Sequence, residues 1–147
     1  MIIKSLEQLN SFSKKVADRL KKKDYIFLVG EIGVGKTTFT RFLINYLQKK
    51  EGLKVSEVLS PTFNLLYEYD LKKYKIMHYD LYRLKNKKEL NNLSIFKENE
   101  DAIKIIEWPK LIKIHISDKL EINLDYTKYD NVRKLGLFGT GKWKNFK

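Results

Sequence analysis

At 147 residues, 43% hydrophobic and 13% aromatic, the chain suits one domain, residues 1–147, with a sizeable core. The lack of cysteine excludes disulfides and thiolate metal sites, and no apolar run approaches the roughly 20 residues of a membrane span. A formal net charge of +12 attracts anions such as nucleotides or tRNA, but Arg19, Arg41, Arg83 and Arg133 are the only arginines, so an abundant lysine surface is the competing account.

Met1-Ile2-Ile3-Lys4-Ser5 lacks the basic and apolar stretches of a secretory signal, and a cytoplasmic protein is expected. Ser5 followed by Gln8 has the form of a capping box, and Leu6, Leu9, Phe12, Val16 and Leu20 recur at helical spacing over residues 6–21. Tyr25–Val29 is a short apolar run ending at Gly30, as in a buried parallel strand. Phe39, Phe42, Leu43, Tyr46 and Leu47 mark one face of a helix starting near Lys36, with stop signals at Lys49, Lys50 and Gly52. Residues 63–70 and 74–80 read as strands around a Lys72-Lys73 turn, and residues 87–93 as weakly helical. Ala102–Ile106 reads as another strand, and 120–124 with 132–138 as an antiparallel hairpin at the sheet edge. The order gives an α/β fold: a P-loop NTPase-like three-layer sandwich with a mixed parallel/antiparallel sheet. Gly139-Thr140-Gly141-Lys142 echoes a phosphate loop without its first glycine or a following helix, so residues 138–147 read as a C-terminal tail.

Gly30-Glu31-Ile32-Gly33-Val34-Gly35-Lys36-Thr37 fits G-x-x-x-x-G-K-[ST] between a strand and a helix. The glycines let successive backbone N–H groups turn toward phosphate oxygens, and the helix N-terminus adds its positive end. Lys36 would reach the β- and γ-phosphates, Thr37 would offer its hydroxyl to Mg²⁺, and Thr38 is placed for the α-phosphate. The chemistry also needs an acid near magnesium at the end of a neighbouring strand. Asp80 closes Lys75–Tyr79 and Glu107 closes Ala102–Ile106, and either could instead cap a helix or lie on the surface.

Beyond the phosphate loop, Ser60-Pro61-Thr62-Phe63, His78-Tyr79-Asp80-Leu81-Tyr82-Arg83 and Glu107-Trp108-Pro109 follow in order. With Gly30–Thr38, the set resembles the bacterial TsaE family, the small ATPases of threonylcarbamoyl-adenosine tRNA modification, over roughly residues 5–138. The resemblance implies ATP and Mg²⁺ as ligands. It makes Asp80 the acid near magnesium, Thr62 part of a switch-like loop facing the γ-phosphate, and Glu107 a positioner of magnesium or the attacking water. It sets Trp108 beside the nucleotide and a partner-facing surface, leaving His78, Tyr82 and Arg83 flanking Asp80 without assigned duties. It further implies action on a TsaB–TsaD complex, with hydrolysis resetting that complex between turnovers. The phosphate loop carries no arginine finger, so slow turnover is expected until a partner completes the site. Trp108 and Tyr82 can equally be core aromatics, and His78 a strand residue facing a polar neighbour. The segment between Arg83 and Glu107 does not map onto the family pattern.

Three other functions compete. A small-molecule or nucleotide kinase shares the loop and length but usually needs a richer arginine set to grip its acceptor. A GTP switch would read Asn86-Lys87-Lys88-Glu89 as a guanine motif, though the last residue is Glu and no apolar strand leads into it, so a charged helix start fits better. A scaffold that binds ATP without hydrolysing it overlaps with a partner-regulated ATPase. His115 has no motif around it and reads as a surface or packing residue.

Overall fold

The computed structural model describes residues 1–97 and 99–147. A seven-stranded mixed sheet runs in the order β1-β7-β6-β2-β5-β4-β3. Its strands are β1 (Ile2–Ile3), β2 (Tyr25–Val29), β3 (Leu66–Asp70), β4 (Lys75–Asp80), β5 (Ile103–Glu107), β6 (Lys119–Tyr126) and β7 (Arg133–Gly139). The helices are α1 (Leu6–Arg19), α2 (Lys36–Lys50) and α3 (Lys87–Asn92). The central strands β4, β5, β2 and β6 are parallel, while β3, β7 and β1 add on antiparallel.

Strand alternation divides the core between the two faces. Ile26, Leu28, Ile76, Ile103, Ile105, Leu120 and Ile122 pack with Phe12, Val16, Phe39, Leu43 and Ile44 of α1 and α2. Phe27, Met77, Tyr79 and Ile106 face the other way, where Leu90 of α3 and Ile95, Ile112 and Ile116 of irregular segments cover them. The sandwich therefore has one layer of two full helices and a thinner opposite layer. Ser5 caps α1 by accepting from the Gln8 N–H at 3.2 Å, while the Gln8 side chain accepts from Lys4 N–H rather than closing the box on Ser5. Asn86 caps α3 by accepting from Glu89 N–H at 3.0 Å, so Asn86–Glu89 is the charged helix start that its composition suggests.

Several boundaries differ from the sequence reading. The strand expected over 63–70 begins at Leu66, because Leu65 N–H bonds back to Pro61 O at 2.6 Å and Leu65 turns to a φ of +66°. The later strand ends at Glu107 as expected but begins at Ile103, one residue after Ala102. The hairpin is not wholly at the edge: β6 is an inner strand paired with β2, and β1 lies outside β7. Residues 138–147 are not a free tail. A short 3₁₀ turn at Gly141–Trp143 leaves Trp143 fully buried, with Phe146 at 5.1 Å in edge contact. The close approach needs glycine at position 139, where a Cβ would lie 1.9 Å from Trp143 O.

Candidate functional site

The parallel strands β2, β5 and β4 end at one rim of the sheet, and the chain leaving β2 forms the phosphate loop there. Gly30 turns with a φ of +152° under β6, where a Cβ would stand 2.4 Å from Leu124 O. Gly33 and Gly35 also take positive φ, at +78° and +123°. Gly35 begins α2 without a side-chain cap, so the first-turn amides of the helix have no competing side-chain acceptor at that position. Val34 turns its side chain into the core, and Glu31 and Ile32 are exposed.

A cleft of about 370 Å³ opens in front of the loop. Gly33, Gly35, Lys36, Thr37 and Thr38 form its floor, and Ser60, Thr62, Asp80, Tyr82, Glu107 and Trp108 form its walls. The expected residues Lys36, Thr37, Thr38, Thr62, Asp80, Glu107 and Trp108 are thus gathered in one place, joined by Ile32 and Gly33 of the loop. Gly30, Glu31 and Val34 shape the loop from behind and do not line the cleft.

Lys36 is almost fully buried, and its ammonium donates to Gly30 O at 2.6 Å and Glu31 O at 2.8 Å. It also lies 4.4 Å from the centre of the Trp108 ring, a cation–π contact. Burial lowers the Lys36 pKa, while the carboxylates of Glu107 and Asp80 oppose the shift.

The two acids are register partners at the ends of adjacent parallel strands and occupy the α2 side of the sheet. Glu107 is 2% exposed and accepts from Thr37 Oγ1 at 3.2 and 3.4 Å. His78, fully buried on β4, places Nε2 at 3.0 Å from Glu107 Oε2, while its Nδ1 has no hydrogen-bond partner among the described residues. The polar neighbour expected for His78 is therefore Glu107. Asp80 accepts from Ser60 Oγ at 3.0 Å, Thr62 Oγ1 at 2.9 Å and Tyr82 N–H at 2.9 Å. Arg83 donates from Nε to Thr62 O at 2.8 Å and from its terminal nitrogen to Phe63 O, fastening the loop that carries Thr62.

Trp108 adopts a left-handed φ of +58°, which aims its ring over Lys36 and against Tyr82 at 4.9 Å. Tyr82 is half exposed and not a core aromatic, whereas Trp108 is partly buried, packing against the core on one side and lining the cleft on the other. Ser60 and Tyr82 line the cleft without a role legible in the sequence, where their places in the S-P-T-F and H-Y-D-L-Y-R segments are the available signal. His115 is exposed and outside the cleft.

A strand, a glycine-rich loop, a helix N-terminus and two strand-end acids define a P-loop protein of α/β class. A family model described as Threonylcarbamoyl adenosine biosynthesis protein TsaE matches residues 3–135. A Rickettsia conorii protein named tRNA threonylcarbamoyladenosine biosynthesis protein TsaE is 36% identical over 134 residues, covering 90% of this chain and 73% of its own. A Haemophilus influenzae protein of the same name is 34% identical over 133 residues, covering 86% and 80%. The crystal structure of Bacillus subtilis YdiB shares the fold, with a TM-score of 0.72 at 23% identity over 98% of this chain and 86% of that one. The chain belongs to the TsaE family.

Proposed function

We propose that this chain is the ATP-binding and ATP-hydrolysing subunit that supports repeated formation of threonylcarbamoyladenosine in tRNA beside the anticodon, acting in the cytoplasm on a TsaB–TsaD complex. The observation that carries this reading is the convergence of Lys36, Thr37, Asp80 and Glu107 on one cleft at the strand ends.

The loop amides and the α2 N-terminus would hold the phosphates, and Lys36 would exchange its two carbonyl partners for phosphate oxygens. Thr37 Oγ1 and the carboxylates of Asp80 and Glu107 are hard oxygen donors, and Thr37 already touches Glu107. These hard oxygen donors suit Mg²⁺ completed by phosphate oxygens and water. When bound, that ion supplies neutralisation of phosphate charge. His78 fixes one oxygen of Glu107, leaving the carboxylate oriented toward Thr37 and the cleft, where it would position the ion or the attacking water. Thr62 and Ser60, both bonded to Asp80, tie the neighbouring loop to the acid, so a change at Asp80 is felt in a loop bearing the 81% exposed Phe63. Such a loop can alter affinity for a partner when the γ-phosphate leaves. None of the four arginines faces the loop as a charge-stabilising finger from within the cleft lining, which fits slow turnover until a partner completes the site.

The test is threonylcarbamoyladenosine formation on tRNA over many turnovers, with TsaB, TsaD, the threonylcarbamoyl adenylate and ATP. Product should pass one equivalent only with the intact protein, and Lys36→Ala or Asp80→Ala should remove the effect. Equal yield without the protein, or with both variants, would refute the role. Rapid ATP hydrolysis by the isolated chain would refute the dependence on partners.

A further inference from the structure

We propose that Tyr126 and Arg133 form a clamp that holds the phosphate-loop backbone in its ligand-binding shape. They are positioning residues, and the proposal rests on the nucleotide-binding reading above. The two residues are register partners at the mouth of the β6–β7 hairpin, and the Arg133 guanidinium lies 4.6 Å over the Tyr126 ring. From there Tyr126 Oη donates to Ile32 O at 2.9 Å, and Arg133 Nε donates to Val34 O at 3.1 Å. Arg133 is itself braced, donating from Nη1 to Asp130 O at 2.6 Å and Val132 O at 3.1 Å.

The two accepting carbonyls matter because of the amides that share their peptide planes. In a planar trans peptide the C=O and the following N–H point in opposite directions. Drawing Ile32 C=O and Val34 C=O toward the hairpin therefore turns the N–H groups of Gly33 and Gly35 the other way. Gly33 and Gly35 both line the cleft. Glycine has the least intrinsic preference among backbone conformations, so these two peptides are the ones most in need of an external hold. The approach is close: a Cβ at Gly33 would stand 3.1 Å from the Tyr126 hydroxyl. The hold also has little to do with the core, since Tyr126 is 45% exposed.

The experiment compares wild type, Tyr126→Phe, Arg133→Lys and Arg133→Gln in two measurements. One is ¹⁵N relaxation of the Gly33 and Gly35 amides in the nucleotide-free protein; the other is Mg·ADP affinity by calorimetry, with melting temperature as a control. Tyr126→Phe should lower the order parameter at Gly33, and Arg133→Lys at Gly35, with little change in melting temperature. Each should weaken Mg·ADP roughly three- to tenfold, the range of one net hydrogen bond. Unchanged amide order would overturn the proposal, as would looser amides with undiminished affinity. Arg133→Lys binding as wild type while Arg133→Gln does not would also overturn it, because charge alone would then suffice. If the wild type fails to bind Mg·ADP, the nucleotide reading falls. The relaxation data still decide the clamp: looser Gly33 and Gly35 uphold it and unchanged amides remove it.

Discussion

Replacing Gly30 by Ala tests whether the phosphate loop is held at the position that its backbone packing implies. The new Cβ would stand 2.4 Å from Leu124 O and 2.8 Å from Val34 Cγ1. Ordinary contact begins at 3.4 Å, so about 1.0 Å of movement (3.4 − 2.4) is required against the carbonyl. Leu124 lies on β6, paired with β2 on one side and β7 on the other, so the loop is the part that yields. A displacement of about 1 Å at a positioned site costs on the order of a hundredfold in rate. The strain itself should cost about 1–3 kcal/mol of stability. Gly52→Ala is the matched control: its φ is +71° but nothing lies within 4 Å of the added Cβ. That variant should lose only about 1 kcal/mol, with nucleotide affinity intact. Denaturant unfolding, Mg·ADP titration and partner-dependent turnover would be measured for both. If Gly30→Ala and Gly52→Ala behave alike in affinity and turnover, close packing beneath the loop does not position it.

Arg83→Lys should release Thr62 O and Phe63 O from their shared fork, lowering partner-dependent turnover roughly tenfold at nearly constant stability. Wild-type turnover in that variant would show that the Thr62 loop needs no such fastening. Trp143→Ala should cost about 3–5 kcal/mol in urea unfolding, because a fully buried indole is lost; a loss under about 1 kcal/mol would mean the terminal segment is dispensable. Lys104 is buried on β5, donating to Ile95 O and lying over the Tyr25 ring, and burial lowers its pKa below the ordinary 10.5. The folded state therefore binds fewer protons than the unfolded state between the lowered value and 10.5, so this group's contribution is lost as pH falls and regained as pH rises through that window. Lys104→Met should accordingly gain on the order of 1 kcal/mol near neutrality. The gain should shrink toward pH 10.5, and a pH-independent difference in urea midpoint would refute the assignment.

Local chemistry made much of the site legible. A five-residue apolar run fixed β2, the glycine and lysine spacing fixed the loop, and each acid followed an apolar run that ends at the same rim. Asn86 announced α3 because a side-chain cap is a local interaction. What escaped depended on partners far along the chain. The two residues of β1 carry no periodic signal and exist as a strand only through β7. The polar Gly-Thr-Gly-Lys stretch hid the docking of Trp143, which is decided by the cavity waiting for it, with Arg19 at 6.0 Å from its ring. Tyr126 and Arg133 looked like ordinary hairpin residues, since nothing near them in sequence says that the phosphate loop lies opposite. Likewise the acids could be proposed singly, but only the Asp80–Glu107 register shows that they stand side by side, Glu107 on Thr37 and Asp80 on Thr62.

The position of β2 in the sheet also sets a timetable. The loop that follows it is made early, yet its flanking strands β5 and β6 arrive much later, as the 79-residue span from Tyr25 to Lys104 and the 94-residue span from Ile32 to Tyr126 record. Chain closures of that length are slow compared with the forming of α1 or α2. A ribosome-bound chain that has reached only residue 100 holds the whole phosphate motif but neither Glu107 nor the hairpin beneath it. On the proposed nucleotide-binding reading, nucleotide would stabilise chiefly the nearly finished molecule, so ligand-dependent protection against misfolding or proteolysis is expected at the last stage of synthesis.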